Sequence, residues 1–171
     1  ELRNLMVLDP LGRPPSLVAD LAMRNLDLNL LTCVFSFGNM QGRIDVAVNG
    51  LELFDWKPIK FDASVMSSPG NYPRHISQAA VQNISSLGGS GAAAAIQRSF
   101  LHIFEEFVYS KIGWSCSLRY GICHMGGIES EHMPQGYVIV KGGGIPPLQG
   151  IGFNRNVDWW ELINRLQRIH Q

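Results

Sequence analysis

Ile44-Asp45-Val46-Ala47-Val48-Asn49-Gly50-Leu51-Glu52-Leu53 is the stretch on which the reading of this chain turns. Ile44, Val46 and Val48 alternate with Asp45 and Ala47, the period of a strand with one buried face. Asn49-Gly50 is the dipeptide best suited to the two left-handed residues of a type I′ turn. The pattern predicts a hairpin turning at Asn49-Gly50, with a return strand from Leu51 to Trp56.

Reading upstream, Leu31, Cys33, Phe35 and Phe37 alternate with Thr32, Val34 and Ser36 and predict a strand. Before it, residues 16–26 set Leu17, Leu21 and Met23 among helix formers, with Ser16 as N-cap, and predict a short helix. Downstream, Ile59, Phe61, Ala63 and Val65 alternate with Lys60, Asp62 and Ser64, so four strands in a row make an antiparallel meander.

Pro73 suits a first helical turn, and Ile76, Ala80, Ile84 and Leu87 form one stripe, predicting a helix over 73–87. A second helix is predicted over 92–112, with Ile96, Phe100, Ile103, Phe104 and Phe107 on one face and Gly113 just past its end. Trp114, Cys116, Leu118, Tyr120 and Ile122 then alternate in a long strand. Residues 137–141 and 151–153 supply two more. Asp158 and Glu161 form a capping box for a closing helix over 159–170, with Trp159, Leu162, Ile163, Leu166 and Ile169 apolar. The expected fold is a single α+β domain over 1–171, a whole protein or a fragment or processed core of a longer one. It has an antiparallel sheet packed by two central helices and a C-terminal helix.

Fourteen basic residues balance fourteen acidic ones in 171, so no net field gathers nucleic acid, although a local patch from Arg98, Arg119 or Arg165 is compatible with that balance. The charged fraction of 16% is low for a domain that is 46% hydrophobic; ordinary chains carry about 25%. Such a surface is short of charge to clothe it, which gives self-association or a protein partner a physical motive. A surface of Gly, Ser, Asn and Gln is the alternative.

Three cysteines far apart do not form a disulfide framework, and free thiols point to a reducing, cytoplasmic setting. No apolar run is long enough to span a membrane as a helix.

Four constellations carry potential chemistry. Gly89-Ser90-Gly91 ahead of a helix offers amides and a hydroxyl to an anion, but it lacks the lysine of a P-loop and reads more readily as a helix-helix turn with Ser90 as N-cap. As a nucleophile, Ser90 needs a distant base such as His75, His124 or His132, because Lys111 lies roughly 30 Å along the same expected helix. Cys116, Cys123, His124 and His132 hold the donor atoms of a zinc site without its spacing, and the strand reading sends Cys116 and Cys123 to opposite faces. Cys123-His124, with Glu129 and Glu131, is a thiol candidate in which adjacent side chains diverge.

Trp159 and Trp160 stand about 100° apart on the closing helix, so Trp160 is offered to the surface as an interface residue. The expected function is a non-catalytic assembly or interaction domain that self-associates, needing no cofactor or metal. The other reading is a hydrolase or transferase using Ser90 or Cys123 with a distant histidine.

Overall fold

The computed structural model describes residues 1–8, 15–34, 38–87, 104–128, 132–133, 136–145 and 149–169. Among them run twelve strands and three short helices. In chain order these are β1 (Leu2–Leu8), β2 (Ser16–Asp27), α1 (Leu28–Val34), β3 (Met40–Gln41), β4 (Arg43–Phe54), β5 (Lys57–Ser67), β6 (His75–Ser77), α2 (Gln78–Leu87), β7 (Glu106–Arg119), β8 (Ile122–Gly127), β9 (His132–Met133), β10 (Gly136–Gly142), β11 (Gln149–Gly152), β12 (Asn156–Asp158) and α3 (Trp159–Ile169).

All the pairings are antiparallel, and they join the strands into one sheet with the path β1-β2-β4-β5-β7-β10-β11. The α+β expectation with two central helices is therefore overturned: the described residues are mostly antiparallel sheet, and the helices among them are short.

The largest correction concerns residues 92–112. Residues 92–103 lie outside the described residues, but 106–112 form the first half of β7 rather than the end of a helix. Phe107 and Tyr109 are buried while Glu106, Val108 and Ser110 face out, and β-branched and aromatic side chains fit that pleated setting. Gly113, expected as a helix end, sits inside β7 opposite Met66.

β7 is also where the sheet forks. Its first half pairs with β6 and β10, and its second half pairs with β5 and β8. One core cluster gathers around the first half (Ile76, Phe107, Tyr109, Ile112, Val140) and another around the second (Phe61, Cys116, Leu118, Cys123, Tyr137). Ile139 packs against both.

Two local expectations exchange places. Residues 16–26 form strand β2, held by ladders to β1 on one side and β4 on the other, which override helix propensity. The predicted strand at Leu31 is helix α1 instead. There the Asp27 carboxylate accepts the Asn29 amide at 2.9 Å, and Leu28 and Thr32, four apart, face inward together. The predicted helix over 73–87 begins only at Gln78, because His75–Ser77 pairs with β3 and β7.

The Asn49-Gly50 hairpin is corrected as well. β4 runs straight through it to Phe54, and the chain turns at Asp55 and Trp56, both left-handed at φ 51° and 57°. Gly50, at φ 57°, makes a bulge instead, marked by a register shift against β5. Its amide donates to the Asp20 carboxylate at 2.6 Å, a contact that a turn at this point would not form.

Asp20, Asp45 and Asp62 bridge the strands in the same manner. Asp20 takes the Gly50 amide and the Asn4 side chain, Asp45 the Ser68 hydroxyl at 2.6 Å and the Asn25 amide at 2.8 Å, and Asp62 the Ser117 hydroxyl at 2.6 Å and the Arg119 guanidinium at 2.7 Å. These donors hold all three carboxyls below the ordinary value of 3.8. A depressed folded value contributes stability that is complete above 3.8 and is lost as pH falls through the lower folded value. Thermal unfolding is expected to show Tm falling as pH drops below about 4. D20N, D45N and D62N should each flatten that acid limb, and a wild-type Tm that is level down to about pH 2 would contradict the linkage.

Candidate functional site

A concavity of about 830 Å³ lies at one end of the sheet. Its walls are the tip of the β4–β5 hairpin (Phe54, Asp55, Lys57), the tip of the β7–β8 hairpin (Arg119, Tyr120, Gly121) and Trp160 of α3.

The second tip was not legible as a turn, since the alternation of Trp114, Cys116, Leu118 and Tyr120 runs on to Ile122. Tyr120 and Gly121 are left-handed at φ 51° and 78°, which reverses the chain in two residues and pairs Arg119 with Ile122. Tyr120 therefore projects from the tip, 100% exposed. Phe54 at 50%, Ile59 at 47% and Trp160 at 48% complete an open apolar lining.

Local chemistry places the tryptophan. The Asp158 carboxylate accepts the Glu161 amide at 2.9 Å, starting α3, and the Trp159 amide donates to the Gly121 carbonyl, tying the helix to the hairpin tip. Trp159 packs edge-on to Phe61 with ring centroids 5.1 Å apart, and Leu162 is buried beyond it. One step of the helix later, Trp160 turns out to the groove.

Charges of both signs ring this lining. Lys60 pairs with Glu52 at 2.5 Å and Arg119 with Asp62 at 2.7 Å, while Asp55 and Lys57 stand at the turn. Arg119 also donates to the carbonyls of Phe61 and Leu118, so it braces the tip.

Beside the groove a polar row crosses the outer face of the sheet. Asp62, Ser117 and His124 are successive cross-strand neighbours, and Asn156 follows on β12 with its side-chain oxygen 2.6 Å from His124 Nδ1. Ser117 gives its proton to Asp62, a carboxylate held ionised and hence a weak base, so the contact orients the hydroxyl rather than activating it.

The sequence candidates are scattered. Gly89, Ser90 and Gly91 lie outside the described residues, as does Glu129. His132 sits in the short strand β9 opposite Tyr137, and His75 lies on β6 within 3.7 Å of Glu106. His124 is exposed on the outer face, whereas Cys123 is fully buried on the inner one, as adjacent strand residues must be.

Cys116 and Cys123, expected on opposite faces as unlinked thiols, share the inner face because the Tyr120-Gly121 turn pairs Leu118 with Cys123 and Cys116 with Met125, and their sulfurs are bonded. Among the described residues no group of three His, Cys, Asp or Glu side chains is placed to hold a metal. Nor is any described helix long and apolar enough to cross a membrane.

No family model, curated protein or solved structure matches this chain.

Proposed function

We propose that this chain is a non-catalytic assembly domain and that copies of it associate through the groove between the two hairpin tips. The observation that carries this reading is the exposed set Phe54, Ile59, Tyr120 and Trp160 gathered around one concavity. Large apolar side chains left in water cost free energy that a covering surface recovers, and Trp and Tyr dominate such contacts where they occur.

A second copy is the occupant that fits. A two-fold interface must complement itself, and this patch holds a projecting knob, Tyr120, directly beside a hollow that can receive the same knob from another copy. It likewise mixes Glu52 and Asp55 with Lys57, Lys60 and Arg119, so two copies can set unlike charges together, and a chain of zero net charge does not repel itself.

Sedimentation equilibrium across a wide concentration range tests the proposal. Wild type should show a concentration-dependent dimer. Y120S and W160S should each weaken it about 30-fold or more, the loss expected of a central aromatic anchor, with Tm nearly unchanged at dilutions where wild type is monomeric, because both side chains lie outside the core clusters. A wild type that stays monomeric at the highest concentration, or variants that dimerise as well as wild type, would defeat this reading.

A further inference from the structure

We infer that Cys116 and Cys123 form a reversible covalent staple across the β7–β8 hairpin, and that the docked C-terminal segment, β12 with α3, controls access to it. The inference does not depend on what fills the groove.

The geometry starts from register. The two-residue turn at Tyr120-Gly121 makes Cys116 and Cys123 diagonal neighbours on one face of adjacent strands, with Cα atoms 5.5 Å apart. That separation is within the range, about 4.4–6.8 Å, that a disulfide spans without moving the backbone. Neither strand need shift for the bond to open or close.

Burial decides what can reach the sulfurs. Cys116 is 1% exposed and Cys123 is not exposed at all, inside a cluster completed by Phe61, Leu118, Met125, Tyr137, Val157 and Leu162. Phe61 and Tyr137 sit on β5 and β10 within the main path of the sheet. Val157 and Leu162 belong instead to the C-terminal segment: among the described residues β12 pairs only with the outer edge of β8, Val157 directly opposite Cys123, and α3 follows it. This cover can leave while the β5–β7–β8 ladders stay whole. Local openings of that kind expose buried groups at a free-energy cost below that of global unfolding.

The chemistry balances with a low-molecular-weight disulfide, such as glutathione disulfide, as oxidant. One cysteine thiolate attacks a sulfur of that disulfide, breaking its S–S bond, forming a mixed disulfide and releasing one thiolate. The other cysteine, after losing its proton to solvent, attacks the mixed disulfide, closing the Cys116–Cys123 bond and releasing the second thiolate. An added thiol reverses the exchange, and a phosphine attacks one sulfur and reduces the bond, water carrying the phosphorus to phosphine oxide and leaving two thiols. Both directions need an attacking group to reach a sulfur, so both wait for the C-terminal segment to lift.

The test uses the full chain in its native state. After incubation with glutathione disulfide and removal of the small molecules, thiol titration in denaturant should count one free cysteine, and peptide mapping should join Cys116 to Cys123; three free thiols overturn the staple. Phosphine reduction of the oxidised native protein is then followed in time. L162A should speed reduction about tenfold or more by loosening α3, and W159L, which keeps an apolar side chain but loses the Phe61 ring contact and part of the ring's volume, serves if L162A does not fold. V140A, in the other core cluster, is the control. Acceleration by L162A or W159L but not by V140A supports the gate, whereas equal acceleration by all means that the sulfurs are reached only through global unfolding and overturns it.

Discussion

Gly127→Ala is expected to cost about 3 kcal/mol or more, at the upper end of what overpacking costs, and to lower Tm by roughly 6–12 °C in a chain of this size. Gly127 is the last residue of β8, and there β8 comes down onto β10. The Ile128 amide donates to the Val138 carbonyl at 2.8 Å, and a methyl group on Gly127 would stand 2.0 Å from that same carbonyl oxygen. Backbone cannot rotate aside as a side chain can, so either the strands part or the hydrogen bond breaks. Val138 is fully buried, so parting the strands also opens the core. Equilibrium denaturation of the G127A protein measures the loss, and a change below about 1 kcal/mol would show that β8 and β10 are not held this close. G126A is the contrast, since its added methyl would meet only the Ser115 hydroxyl at 2.6 Å, the tip of a side chain that can turn away.

The same contact shows why parts of the fold can be read from the sequence and others cannot. Segments whose structure is set by near neighbours are legible. The Asp158 cap and the stripe Trp159, Leu162, Ile163 and Leu166 describe α3 almost to its ends, and the alternation of 59–65 and the short apolar run of 137–141 describe β5 and β10. Segments whose structure is chosen by a distant strand are not. Phe104, Phe107, Val108 and Ile112 satisfy a helical stripe, whereas the pleat buries Phe107 with Tyr109 and turns Val108 out. The choice is made by Ile76 and Val140, which pair with Phe107 and Ile112 from far along the chain. Asn49-Gly50 shows the same limit in small compass. Its left-handed preference is real, but a bulge uses it as well as a turn does, and the Asp20 carboxylate on a neighbouring strand selects the bulge.

The site divides along the same line. Trp160 is legible because helical geometry forces it away from the core side once Trp159 is placed. Tyr120 is not, because its exposure follows from the reversal at Tyr120-Gly121, which continuous alternation hides; the one local signal was a glycine directly after an aromatic residue. The shared face of Cys116 and Cys123 was hidden by the same error. A strand read straight through residue 122 puts residues 116 and 123 on opposite sides, whereas two left-handed residues between them bring both inward.

Tyr109 carries the other large effect. Its ring is 1% exposed within the core cluster around the first half of β7, and its hydroxyl donates to the Gln41 carbonyl at 2.8 Å, joining β7 to β3 across the chain. Tyr109→Ala is expected to lose about 3–5 kcal/mol, as removal of a buried aromatic ring does. Tyr109→Phe keeps the ring and leaves the Gln41 carbonyl without its donor, for about 1–3 kcal/mol. The phenol also sets an alkaline limit. Burial, with a smaller contribution from Tyr72, pushes its pKa from 10.0 up to about 12. The unfolded chain then releases this proton from pH 10.0 upward while the folded chain retains it until about 12, so stability complete below 10.0 falls across that interval. The slope is about 1.4 kcal/mol per pH unit, or roughly 2–3 kcal/mol in total. Tyr137 is raised in the same direction by its own burial, so the wild-type curve alone does not assign the loss. The difference between wild type and Y109F does. Their stability gap, measured by urea denaturation, should narrow as pH climbs past about 10, and a gap that stays constant would show that the Tyr109 hydroxyl ionises as easily in the folded chain as in the unfolded one.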